Sequence, residues 1–210
     1  MTAALVAGLV AGYGIAVPVG AVSAYLLSLT ARTSLRTGVC AALGIATADG
    51  LYALAATIGG TALAAAIQPV LVPLRWVSAL VLAALAARGA VGALRQYRSD
   101  GEIATARAAP SGPGRAYLGL LGVTLLNPTT VLYFAALVLG GRAADPVRPL
   151  EQGLFVGAAF VASASWQLAL AGGGALLGRA LTGRRGRLAT ALVSSAVIAA
   201  LAVRVLLGPV

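Results

Sequence analysis

Asp49 is the one acidic residue of the chain with apolar sequence on both sides. A charged side chain in the middle of a membrane helix costs roughly 2.5 to 3.5 kcal/mol on insertion scales, so such a residue faces a protein interior or a wet cavity. As a carboxylate it could pair with an ammonium group, and as a protonated acid it could carry a proton. The alternative is a neutral Asp49 that bonds a neighbouring backbone group and only holds helices together. The other four acids lie in polar or Pro/Gly-rich connections: Asp100, Glu102, Asp145 and Glu151.

Polar side chains at helical spacing could complete a site around Asp49. Tyr52 lies three positions after Asp49 and therefore on the same helix face, where its hydroxyl could hydrogen-bond the carboxylate. In a later apolar segment, Ser163, Trp166 and Gln167 share one face and occupy roughly the place in the second half of the chain that Asp49 holds in the first. This patch could line a cavity, or it could bind helices to one another, as Ser and Gln do in membranes.

Prolines interrupt two apolar segments near their middle, at Pro18 and at Pro128. A proline lacks the backbone donor and clashes with the preceding turn, so a helix that contains it is expected to break and restart there. Proline suits the first position of the new helix, and Asn127 is a favoured N-cap residue. A restarted helix presents N–H groups at the positive end of its dipole, and these attract carboxylates. Simple kinks are the alternative, because membrane helices tolerate proline.

Together these features predict one central site for a zwitterion such as an amino acid. The helix starts would bind its carboxylate and Asp49 would bind its ammonium group. Gly20 would let a ligand approach the backbone closely, and Thr129 and Thr130 would add hydroxyl donors. The predicted substrate-binding residues are Pro18, Val19, Gly20, Asp49, Tyr52, Asn127, Pro128, Thr129, Thr130 and Gln167.

Apolar helices must position these residues. With 60% hydrophobic and 10% charged residues among 210, and a mean hydropathy of +0.97, the chain has the composition of an integral membrane protein. About 20 apolar residues are needed to cross the hydrocarbon core. We therefore predict an all-α membrane protein with six transmembrane helices, at residues 3–29, 39–67, 70–91, 117–139, 153–177 and 188–207.

The basic residues indicate membrane topology. All fifteen are arginines that sit between apolar segments, so the net charge of +10 does not predict nucleic-acid binding. With the N-terminus outside, eleven arginines face the cytoplasm and four face outward, as the positive-inside rule requires. We therefore predict a multi-pass membrane protein with both termini outside. With no histidine, and with Cys40 as the single cysteine, the chain predicts neither a metal site nor a cofactor.

The chain divides into two similar halves of three spans each. Because three is odd, a tandem repeat places its copies in opposite orientations, which is the inverted-repeat design of secondary transporters. We predict one membrane domain, 1–210, that consists of a first three-helix repeat (1–92), a cytoplasmic linker (93–116) and a second repeat (117–210). Three glycine pairs predict internal helix packing rather than a dimer interface. These pairs are Gly8/Gly12, Gly153/Gly157 and Gly174/Gly178.

Three segments, taken in order, resemble the LysE/RhtB family of amino-acid exporters, also called LysE-type translocators. They are residues 18–20 followed by 36–38, residues 43–50, and residues 126–128 followed by 131–134. The first motif of that family usually has a proline after the glycine, where this chain has Ala21. The resemblance covers nearly the whole chain. It implies efflux of amino acids or related small solutes across the inner membrane, driven by the proton gradient.

We therefore predict a secondary active exporter in which Asp49 binds either the substrate ammonium group or the coupling proton. An enzyme is not expected, because no second acid, histidine or nucleophile pair accompanies Asp49 for general acid–base work. Export of a cation or metal ion is an alternative, and a non-transporting membrane scaffold subunit is another. The predicted partners are a small-molecule substrate and membrane lipid, and homo-oligomer formation is left open.

Overall fold

The computed structural model describes residues 1–18, 20–67, 71–98, 112–137, 149–180 and 184–207. Within these ranges the regular structure is helical and forms eight helices. They are α1 (Thr2–Ala16), α2 (Ala21–Arg32), α3 (Leu35–Ile67), α4 (Leu71–Arg98), α5 (Pro113–Leu125), α6 (Pro128–Leu137), α7 (Pro149–Ala180) and α8 (Arg184–Leu207). Val19 and much of the predicted linker lie outside the described residues.

The helices are interrupted at both prolines, as predicted. Helices α1 and α2 are bent by 74° across the first break, and α5 and α6 are bent by 60° across the second. Pro18 lies inside the first break, and Pro128 is the first residue of α6. At that position the missing N–H costs no helical hydrogen bond. Each of these two predicted spans is therefore a bent pair of short helices.

The helices identify a multi-pass membrane protein. Among the described residues, three single helices are long and apolar enough to cross a membrane, namely Leu35–Gly59, Val72–Arg95 and Pro149–Gly178. The number rises to 5 if each bent pair counts as one span. These five correspond to the first five predicted spans. The sixth predicted span, 188–207, is helical as part of α8, and its crossing of the membrane stays a prediction.

The helix boundaries depart from the predicted ones in the polar connections. Helix α3 begins at Leu35, before the predicted residue 39. The Ser34 hydroxyl accepts a hydrogen bond of 3.2 Å from the Thr37 N–H, so Ser34 acts as the N-cap that fixes this start. Helices α4 and α5 each extend into the predicted linker. Gly112 precedes α5 with a φ of +107°, a left-handed backbone conformation that favours glycine.

Helices α3 and α7 pack against each other at the centre of the fold. Helices α1 and α2 lie along α7, α5 and α6 lie along α3, and α4 packs against α8. Two tyrosines join these layers. The Tyr117 hydroxyl of α5 donates to the Thr47 hydroxyl of α3 at 3.1 Å, and the Tyr133 hydroxyl of α6 donates to the Ala11 carbonyl of α1 at 2.9 Å. Such packing and hydrogen bonding hold membrane helices together, because lipid tails are as apolar as the side chains.

Two of the three predicted glycine pairs pack internally. Each of their glycines lies against a backbone carbonyl of a neighbouring helix, where a Cβ atom would clash: Gly8 on Phe155, Gly12 on Ala159, Gly174 on Leu27 and Gly178 on Ala31. The residue numbers rise together in these contacts, so α1 and α2 both run in the same direction as α7. The prediction is wrong for Gly153 and Gly157, which are exposed and have no atom within 4 Å of a Cβ position.

Candidate functional site

Asp49 lies at the contact between α3 and α7 and is 3% exposed. Its Oδ2 accepts a hydrogen bond of 2.6 Å from the hydroxyl of Ser163, a buried residue of α7. Within the described residues, this hydroxyl and not an arginine is the partner of the carboxylate. Ile45 and Ala53, one turn away on either side in α3, are buried as well. A carboxylate removed from water in this way needs a cation, a proton or further hydrogen bonds to replace its lost hydration.

The Tyr52 hydroxyl binds a helix end rather than Asp49. It donates a hydrogen bond of 2.5 Å to the carbonyl of Leu125, the last residue of α5. In an unbroken helix that carbonyl would accept from the N–H of Thr129, but this N–H binds the Asn127 side chain instead. The Tyr52 hydroxyl therefore replaces the backbone donor that the Leu125 carbonyl loses at the second helix break.

Asn127 caps the start of α6, as the sequence predicts. Its Oδ1 accepts from the Thr129 N–H at 3.2 Å, and its carbonyl accepts from the N–H groups of Thr130 and Val131 at 3.1 and 3.3 Å. Pro128 has no N–H to offer. The donors of the first turn of α6 are therefore bound within the chain. The Thr130 side chain is buried, whereas that of Thr129 is exposed.

The start of α2 has no side-chain cap. Gly20 precedes the helix with φ −98° and ψ −172°, and among the described residues no side chain caps the first turn. The Gly20 carbonyl accepts the N–H of Ala24 at 3.0 Å. Apart from the chain neighbours of Gly20, no atom of the described residues lies within 4 Å of the position that a Cβ of Gly20 would occupy. Pro18 is exposed, and the predicted site residue Val19 lies outside the described residues.

Trp166 and Gln167 of α7 carry two buried polar atoms that have no hydrogen-bond partner in the part of the chain that the structure describes. These atoms are the Trp166 Nε1, a donor, and the Gln167 Oε1, an acceptor. Gln167 is 2% exposed. Leaving such atoms unpaired in a buried place is costly, so both are available to bind a polar group.

Three of the predicted site residues lie on the two central helices, Asp49 and Tyr52 on α3 and Gln167 on α7. Tyr52 joins α3 to the second break through Leu125, and Asp49 joins α3 to α7 through Ser163. Gln167 follows Ser163 by one helical turn. Sequence reasoning left Ser163 and Trp166 out of the predicted site, although the shared helix face of 163, 166 and 167 was the signal that could have included them.

A family model described as LysE type translocator matches residues 14–208. The match contains both helix breaks, Asp49 and its partner Ser163, and reaches from α1 to the end of α8. No curated protein and no solved structure matches the chain. The choice of substrate must therefore be argued from the chemistry of the site itself.

Proposed function

Because the chain belongs to the LysE type translocator family, we propose that it is a secondary active exporter of amino acids or related small solutes, coupled to protons. The family supports membrane export, and the composition supports a multi-pass protein. The arginine distribution favours the inner membrane with both termini outside.

The proposed architecture is a pair of inverted three-helix repeats, residues 1–92 and 117–210. The helix contacts support it, since α1 packs on α7 as α5 packs on α3. The spacing of polar residues supports it as well. Ser163 follows Asp49 by 114 positions, and Trp166 follows Tyr52 by the same number. Transporters of this design bind substrate near the midplane, between the repeats, and alternate access by moving one repeat against the other.

Asp49 carries the proposed chemistry. Its carboxylate is buried at the contact between the two halves, and its partner there is a neutral hydroxyl. An uncompensated charge in such a place is unfavourable, so the carboxylate attracts a cation or takes up a proton. A substrate ammonium group would satisfy the first need, and the coupling proton would satisfy the second. The helix starts at the two breaks are the matching candidates for the substrate carboxylate.

Counterflow in proteoliposomes tests this proposal. Vesicles loaded with a mixture of unlabelled standard amino acids are diluted into buffer that contains one labelled amino acid at a time. We expect transient accumulation of at least one label above that in protein-free vesicles. A wild-type protein that accumulates none of them, while remaining monodisperse, would overturn the proposed substrate class.

Access of water to Asp49 distinguishes a transporter from a non-transporting scaffold. In a Cys40→Ser background, Asp49→Cys should react with a polar methanethiosulfonate reagent, because alternating access opens the site to water. Ala42→Cys, which places the thiol in a buried apolar cluster of α3, is the matched control and should stay unreactive. Equal protection of both thiols would favour a scaffold.

A further inference from the structure

Two contacts between α2 and α7 show which part of α2 lies at the same height as Trp166 and Gln167. Gly174 lies against Leu27 and Gly178 lies against Ala31, with both helices running in the same direction. Seven positions before Gly174 is Gln167, and seven positions before Leu27 is Gly20. The two unpartnered atoms therefore stand at the height of the first break, where α2 starts.

The direction in which Gln167 points is given by its neighbours on the same face of α7. One turn earlier, Ser163 contacts Asp49 of α3. One turn later, Ala171 belongs to the apolar cluster that contains Val22 of α2. Gln167 thus faces the space between Asp49 and the first turn of α2.

The two breaks are chemically different. At the second break, Asn127 caps α6 and Tyr52 donates to the carbonyl of Leu125, so both helix ends are satisfied within the chain. At the first break, no side chain of the described residues caps α2, and a Cβ on Gly20 would meet none of their atoms within 4 Å apart from its chain neighbours. Trp166 follows Ser163 by three positions, as Tyr52 follows Asp49, but its N–H has no partner among the described residues.

We propose that the substrate carboxylate binds at the first break alone, between the indole N–H of Trp166 and the uncapped first-turn amides of α2. Both groups are hydrogen-bond donors, and the positive end of the α2 dipole favours an anion at this helix start. The ammonium group then binds between Asp49 and the amide oxygen of Gln167, which are both acceptors. This assignment rests on the proposed export of amino acids and makes Trp166 a specificity-determining residue.

Amino-acid amides show how much the substrate carboxylate contributes to binding, because they keep the ammonium group and replace the carboxylate by a neutral group. In counterflow with each labelled amino acid that the wild-type protein accumulates, the unlabelled amide of that amino acid should compete at least about tenfold more weakly than the unlabelled acid. Trp166→Phe should weaken competition by the acid about tenfold and leave that by the amide within about twofold. The preference for the acid would then largely disappear.

Gly20→Ala gives a second variant that the fold can accept, since a Cβ at this position meets no protein atom within 4 Å. The added methyl group should nevertheless reduce transport of the acid, because the substrate carboxylate occupies that space. Trp76→Phe, at a residue that is 56% exposed, and Gly157→Ala, which also meets no atom, are the matched controls. Both controls should keep the wild-type preference for acid over amide.

Gln167→Met distinguishes binding of the ammonium group from binding of the carboxylate. It keeps the size of the side chain and removes the amide, so it should weaken competition by acid and amide to the same extent, because both contain the ammonium group. Thermal unfolding of each purified variant shows whether it is folded.

The outcomes are distinguishable. Wild-type protein that accumulates none of the labelled standard amino acids removes the proposed function. The carboxylate site at the first break is tested when the wild-type protein prefers the acid to the amide. It is overturned if a folded Trp166→Phe keeps that preference, or if competition by the acid and by the amide weakens equally. A Gly20→Ala variant with wild-type transport would overturn it too.

Discussion

Replacing Asp49 by asparagine removes the buried charge and keeps the shape of the side chain. The amide oxygen can still accept the hydrogen bond that Ser163 donates at 2.6 Å, so the contact between α3 and α7 should persist. Because Asp49 is 3% exposed, the neutral residue also avoids the cost of a buried charge. The thermal unfolding temperature of Asp49→Asn should therefore equal or exceed that of wild type.

Transport should fall for an electrostatic reason. A hydrogen bond to a charged group contributes about 1.5 to 3 kcal/mol, and one between neutral groups about 0.5 to 1.5 kcal/mol. The difference of about 1.5 kcal/mol corresponds to roughly tenfold weaker binding. If Asp49 binds the substrate ammonium group, counterflow and gradient-driven transport should both show this loss.

The same two assays detect the other role. If Asp49 carries the coupling proton, exchange of substrate for substrate needs no net proton movement and should survive in Asp49→Asn. Accumulation driven by an imposed pH gradient should then be lost. Ser163→Ala is the control that removes the hydroxyl and keeps the charge, so its transport should fall less than that of Asp49→Asn. Wild-type rates of both counterflow and driven transport in a folded Asp49→Asn would refute the assignment and leave Asp49 with a packing role.

Three further predictions concern the fold around the site, the first two measured by thermal unfolding of purified protein and the third by the yield of folded protein. Tyr52→Phe leaves the Leu125 carbonyl without its donor and should cost about 1 to 3 kcal/mol, so an unchanged unfolding temperature would contradict the 2.5 Å hydrogen bond. Asn127→Ala removes the cap of α6 and should cost about 1 kcal/mol. Gly12→Leu should sharply reduce the folded yield, because a Cβ there meets the Ala159 carbonyl, whereas Gly157→Leu should fold normally.

The elements of the fold were largely predictable because their signals are local. An apolar run of about 20 residues predicts a span wherever it occurs, and a proline in its middle predicts a break. Both breaks and the division between α3 and α4 follow from such signals. The start of α3 was misjudged, since the capping signal at Ser34 lies outside the apolar run that defined the predicted span.

The contacts of the site were less predictable, because they join helices that are distant in sequence. Helical spacing places Tyr52 on the same face as Asp49, but it does not show that Leu125 offers a freed carbonyl to the same hydroxyl. In the same way, spacing groups Ser163 with Gln167 without indicating which helix they face. The partner of Asp49 is set by how α3 packs on α7, and hydropathy contains no information about that packing.

The difference between the two breaks is visible in the sequence. The similarity of the two halves led to the same prediction for both breaks. An inverted repeat suggests that corresponding segments act alike, so Pro18 and Pro128 were given the same role. Their neighbours differ, however. Asn127 is a residue that caps a helix with its side chain, whereas Gly20 has no side chain with which to do so. A capped start has bound its donors and an uncapped one has not, so we expect the first break rather than the second to hold an anion.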